Sequence, residues 1–362
     1  MPEKITYAEW LEMVADPDTA KERILEYSVI VKGNGGFDFL LRPNPDLVEM
    51  TETQLELENA MAIGNAACRY RRQRVTNRRI RNDDPRPFLV AEGDSWHQFP
   101  VLIDEIIDHL GSNYTIASFG AAGDTADNMV FGPPRRGGAE FLTEIWRHRS
   151  RVEAFLFSAA GNDIIGEDQT SGDPVPALRK ILRPSSSQNP GVQDVVDQEE
   201  MESRLEGLRK AYRTVIYNIR KLESSDRPEH LPPFSKLPIL IHGYDYPFPC
   251  PTTEEIGGAP ERRDPIYAKK DQWLGSAFSH HGIEDPVLRR EVIKFLLDHL
   301  YDMLSDLAGD PSETGVWLVD CRGAMPSVTD WKDEIHGTSE GFAKVADRFE
   351  KTLKKVLKHS VS

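Results

Sequence analysis

From Pro87 to the C-terminus the chain alternates between short apolar runs and longer amphipathic stretches. PFLVAEG (87–93), YTIASFG (114–120), VEAFLFSAAG (152–161), LPILIHGY (237–244) and GVWLVDCRG (315–323) are near-continuous apolar segments of strand length. Between and after them lie FPVLIDEIIDHL (99–110), GGAEFLTEIWRHR (137–149), MESRLEGLRKAYRTVIYNIRKL (201–222), DPVLRREVIKFLLDHLYDMLSDL (285–307) and GFAKVADRFEKTLKKVLKH (341–359). These place apolar residues three and four apart and predict helices. Strand, helix, strand in this order predicts right-handed crossovers and a parallel sheet covered on both faces. The strands carry no polar alternation, as burial on both faces requires. RPSSSQNPGVQDVVDQ (183–198) predicts a surface loop, and the Pro-, Gly- and aromatic-containing stretch at about 247–281 predicts an insertion.

Residues 1–85 follow another pattern. Thr6 and Glu9 have capping-box spacing ahead of Trp10, Leu11 and Val14, and Thr51 and Gln54 repeat it ahead of a long helical stretch. GNGGFDFLLRPNPD (33–46) between them is rich in turn formers. Asp83, Asp84, Pro85 and Pro87 mark a boundary. The sequence therefore predicts a mainly helical N-terminal extension, 1–85, and an α/β unit, 86–362.

Composition changes the picture in three respects. The 362 residues carry a formal net charge of −15, which disfavours general nucleic-acid binding. No apolar run has membrane-spanning length, and the N-terminus lacks the basic start and apolar stretch of a secretory signal. Cys68, Cys250 and Cys321 are odd in number and far apart, which argues against a disulfide framework and predicts a reducing, cytoplasmic setting. One local exception to the acidic balance is CRYRRQRVTNRRIR, with seven arginines from Arg69 to Arg81. It reads either as a solvated helix end or as a surface for an anionic partner, including a second copy of the chain.

Four segments sit where ligands bind in an open parallel sheet, beyond the carboxyl ends of the strands. Gly93-Asp94-Ser95-Trp96 follows the first apolar run. A serine at such a turn presents its hydroxyl at the sheet edge, and a helix-capping serine looks the same in sequence. Gly120-Ala121-Ala122-Gly123-Asp124-Thr125 follows the second and can bring a backbone N–H close to a ligand oxygen, or simply turn the chain. Gly161-Asn162-Asp163 follows the third; an Asn amide can donate to a developing oxyanion, and an Asx turn is the plainer alternative. Asp333-Glu334-Ile335-His336 precedes the last helix, with a carboxylate three positions from an imidazole that it can orient as a base.

In this order and at these positions, the four segments resemble the blocks of the SGNH (GDSL-like) serine hydrolases, over the region from about Pro87 to the C-terminus. The resemblance implies a three-layer α/β/α sandwich with a five-stranded parallel sheet of flavodoxin-like order. It implies Ser95 as nucleophile, His336 as base and Asp333 as its orienter. The backbone N–H groups of Ser95 and Gly123 and the side chain of Asn162 would form the oxyanion hole, with Gly120 the alternative to Gly123. Two positions depart from the pattern: Trp96 stands where Leu is frequent, and Ala160 where the third block usually has Gly, a methyl expected to narrow the pocket.

The implied activity is carboxylic ester hydrolysis through an acyl-enzyme, with no cofactor and no metal. His280 and His281 near Asp285 are adjacent and expected to point apart, not to share an ion. Trp96, Tyr244, Tyr246 and Trp331 are candidate substrate contacts, because they flank the implied catalytic positions or follow the fourth strand. Alternatives left open are a lipase or phospholipase meeting anionic lipid through the arginine cluster, a catalytically silent binding or effector subunit, and acyl transfer to an alcohol other than water.

Overall fold

The computed structural model describes residues 3–32, 39–51, 63–99, 103–132, 140–165, 177–253 and 274–359. Five strands form one parallel sheet: β5 (Phe88–Gly93), β6 (Thr115–Ser118), β7 (Val152–Ser158), β8 (Ile239–His242) and β9 (Val316–Val319). Their spatial order is β6-β5-β7-β8-β9. Numbered within the sheet this is 2-1-3-4-5, the flavodoxin-like doubly wound order. All six residues of β5 and all four of β8 are buried, which explains their unbroken apolar pattern.

The order reverses at β5, whose neighbours are β6 and β7. The crossover to β6 leaves one way and later crossovers leave the other, so right-handedness places their helices on opposite faces. Ile106–Leu110 packs with the C-terminal helix Ser339–His359, and Gln198–Arg220 packs with Pro286–Ala308. The gap above β5 and β7 is the switch point, where such sheets bind ligands. The predicted helix at 99–110 is shorter than its pattern: it starts at Ile106, because the Glu105 side chain accepts the N–H of Ile107 at 2.8 Å and caps it there. The polar stretch 183–198 contains one helical turn, Val192–Val195.

The first eighty-odd residues form a small cluster of their own around Trp10, Val14, Ile24 and Leu41. The Thr6–Glu9 capping box is present at the start of helix Tyr7–Ala15, whereas Gln54 of the second predicted box lies outside the described residues. Besides helices this region holds two strand pairs: β1 (Ile5–Thr6) with β4 (Val48–Glu49), and β2 (Ser28–Lys32) antiparallel to β3 (Phe39–Pro43). The β-branched run Ser28–Lys32 is too short for periodicity to separate it from a turn.

Helix Ile63–Arg81 joins the two parts, and four of its seven arginines direct their hydrogen bonds into the protein. Arg71 donates to the carbonyls of Asp16, Pro17 and Thr19 on one side. On the other, Arg69 donates to Phe119 O at 3.2 Å, Arg79 to Gly111 O and Tyr114 O, and Thr76 Oγ1 to Ile116 O at 2.6 Å. Arg72 reaches furthest inward. It donates to His97 O at 2.9 Å and Gln98 Oε1 at 2.8 Å, and pairs with Glu105 and Asp108. Burial disfavours its charge, but Asp108 and Glu105 outweigh this and raise its pKa. Arg74, Arg78 and Arg81 stay exposed, Arg78 in a two-bond pair with Asp18.

Candidate functional site

β5 ends in a turn that only glycine permits. A Cβ on Gly93 would lie 2.7 Å from Ser158 Cβ and 2.8 Å from His97 Nδ1. Asp94 then organises the turn. Its backbone oxygen accepts the N–H groups of His97 and Gln98, and its carboxylate accepts Trp96 N and Ser158 Oγ, each at 3.0 Å. The Tyr244 hydroxyl donates to the other carboxylate oxygen of Asp94 and accepts Gly161 N at 2.8 Å. Burial pushes the Asp94 carboxyl up, and these hydrogen bonds act in the opposite direction. The segments after β5, β7 and β8 are thus tied together under Ser95, which is 6% exposed.

The loop before the last helix is folded by one carboxylate. Asp333 Oδ1 accepts the N–H groups of Ile335 at 2.8 Å and His336 at 2.7 Å. Its Oδ2 lies 2.7 Å from His336 Nδ1. The carboxylate can only accept, so Nδ1 carries the proton and Nε2 keeps its lone pair. Nε2 lies 2.9 Å from Ser95 Oγ. Two rings fix this contact from either side. Phe99 packs against the His336 imidazole with centroids 4.6 Å apart, and the Trp96 indole N–H donates to Ile335 O at 3.1 Å. Asp333 and His336 are fully buried.

Asn162 stands in the first turn of Gly161–Ile165 and donates through Nδ2 to Asp124 O at 2.8 Å. One amide N–H remains for another acceptor. Gly123, the residue before Asp124, has φ +81, and space around it is open; it does not line the cavity beside Ser95. Gly120 instead faces inward, where a Cβ would meet Gly93 O at 2.9 Å. Asp163 accepts Ala126 N through both oxygens, and burial pushes its carboxyl up to about 6; Asp124 is likewise raised to about 6 by burial. Ala160 has φ +105, so the methyl that replaces the usual Gly loads the backbone rather than just filling space.

Ser95 and Asn162 open onto a cavity of about 50 Å³ that Trp96, Tyr244 and Trp331 also line. Tyr246 does not line it; its hydroxyl bonds Asp298 on helix Pro286–Ala308. Ile293, Leu296, Leu297 and Leu300 of that helix also line the cavity, a contribution absent from the sequence reading because its apolar face looks like any core-facing helix. His281 bonds Arg179 O through Nε2, and among the described residues no group of three or more His, Cys, Asp or Glu is placed to hold a metal. No helix among them is long and apolar enough to cross a membrane.

No protein-family profile and no curated protein matches the sequence. Solved structures with a similar fold include a gut microbial diltiazem-metabolizing enzyme, 15% identical over 74% of this chain, with a TM-score of 0.38. This chain spans about half of that one (47%). An aryl esterase from M. smegmatis is 12% identical over 75% of this chain and 99% of its own, with a TM-score of 0.38. A carbohydrate acetylesterase from Sinorhizobium meliloti is 13% identical over 75% and 100%, with a TM-score of 0.37.

Proposed function

We propose that this protein is an SGNH-type serine hydrolase that cleaves carboxylic esters through an acyl-enzyme on Ser95. The observation that carries this reading is the continuous hydrogen-bonded line from Asp333 through His336 to Ser95, opening on an apolar cavity. Ser95 Oγ attacks the acyl carbon as its proton passes to His336 Nε2. The imidazolium that forms is stabilised by Asp333, and the tetrahedral oxyanion by the N–H groups of Ser95 and Gly123 and the free amide hydrogen of Asn162. When the carbon–oxygen bond to the leaving alcohol breaks, His336 returns the proton to that oxygen. Water then gives a proton to the same nitrogen, attacks the acyl-enzyme and releases the acid, and Ser95 recovers its proton.

A fluorophosphonate probe should label Ser95, and Ser95→Ala should lose both labelling and ester hydrolysis. Labelling at another serine, or undiminished hydrolysis by the Ala variant, rejects the reading. The lipid alternative finds less support, since Arg69, Arg71, Arg72 and Arg79 direct their hydrogen bonds into the protein.

A further inference from the structure

We infer that the cavity beside Ser95 receives the acyl group, that this group is a short saturated chain, and that Leu297 and Ile293 set its length limit. The inference rests on the ester-hydrolase reading above. Ser95, Asn162 and Tyr244, with the carboxylates of Asp94 and Asp245, supply the polar part of the cavity lining. The rest of the lining is largely aliphatic, including Ile164, Leu178 and four residues of one helix, Ile293, Leu296, Leu297 and Leu300. The last four recur at helical spacing along one face of Pro286–Ala308. None of these six can hydrogen-bond, so a hydroxyl or charge placed against them would be desolvated without compensation.

Size narrows the class further. The cavity measures about 50 Å³. An apolar cavity that takes benzene is roughly 150 Å³, so the smaller volume here suits acetyl to butyryl best. Its walls have little room to yield. Leu300 is fully buried and Ile293 and Leu296 are each 4% exposed in the close-packed core. Leu297, 9% exposed, is the least enclosed of the four and the most replaceable.

The test uses two ester series on the purified full chain. In one, 4-nitrophenol is the fixed alcohol and the acyl group grows from two to ten carbons. In the other, acetate is fixed and the alkyl alcohol grows. Wild type should prefer the short acyl esters, with kcat/KM falling about tenfold or more per methylene beyond the limit. The alcohol series should show no such cutoff. Leu297→Ala should extend the accepted acyl chain by about two to three carbons, and Ile293→Ala should shift it the same way. Leu297→Phe should shorten it. Wild-type preference for acyl groups of eight or more carbons overturns the inference, as does a cutoff that moves in the alcohol series instead. Unchanged acyl preference in folded Leu297 and Ile293 variants also overturns it. Labelling at Ser95 with hydrolysis but no acyl cutoff sinks this inference alone. Absence of both labelling and hydrolysis sinks the underlying reading with it.

Discussion

The indole N–H of Trp96 donates to the backbone oxygen of Ile335 at 3.1 Å, joining the residue after the candidate nucleophile to the residue before the candidate base. The Ser95–His336 contact therefore does not depend on its own hydrogen bond alone. Trp96→Phe keeps most of the ring packing against Tyr244 and Phe342 but removes the donor. We expect kcat to fall by up to about tenfold with KM little changed, the size of one net hydrogen bond. Steady-state kinetics beside a thermal melt would check this; a lower melting temperature with unaltered kcat would give Trp96 a purely structural role.

Tyr244 answers two buried partners with one hydroxyl, Asp94 as acceptor and the Gly161 N–H as donor. In Tyr244→Phe both are left without it. The predicted loss of stability is about 1–3 kcal/mol by urea unfolding. Activity should drop as well, because the turns after β5 and β7 are held by the same hydroxyl.

Ala160 holds a φ of +105 that a side chain disfavours and glycine tolerates. Relief of that strain should exceed the extra unfolded-state freedom that glycine brings. Ala160→Gly is expected to stabilise the fold by about 1 kcal/mol, seen as a higher urea midpoint at unchanged slope. A lower midpoint would mean that the methyl contributes more by packing than the backbone loses.

Two buried imidazoles, His97 and His242, stack 5.5 Å apart beside the Ser95 turn. Burial holds both below the usual histidine range, His242 at about 4. Unfolded histidines take a proton near pH ~6.5. Between there and about 4 the unfolded chain binds protons that the folded chain refuses, so these residues weaken the fold as pH falls. Asp124 and Asp163, raised to about 6, act in the opposite sense over the same range. The clean observable is a difference: His242→Asn should lose less stability than wild type between pH 6.5 and 4. Parallel curves for the two proteins would refute the assignment.

Much of this architecture is legible in the sequence, for identifiable reasons. A strand buried on both faces must be apolar throughout, so β5 to β9 stand out against their surroundings. Gly93, Ser95 and Asn162 stand out as candidates because each lies at or just past the end of a sharply marked strand, and Asp333 and His336 because they sit just before the last helix. The destinations of Arg71, Arg72 and Arg79 are not visible, since their acceptors are mostly backbone carbonyls, which every residue carries alike. Leu297 is hidden for a related reason: a leucine facing a cavity and one facing the core obey the same helical period. The pairing of β2 with β3 escapes because β3 lies within a stretch rich in turn formers.

The inward reach of Arg72 makes the boundary near residue 85 a boundary in pattern rather than in energy. Glu105 is fully buried, and the Arg72 guanidinium is its ion-pair partner. A chain begun at residue 86 would lose that counter-charge together with the helix that carries it. It would also strip a donor from the carbonyl of His97, two residues past Ser95. Shortened chains designed from the sequence pattern alone should therefore express poorly or melt early, and the full chain should unfold in a single cooperative transition.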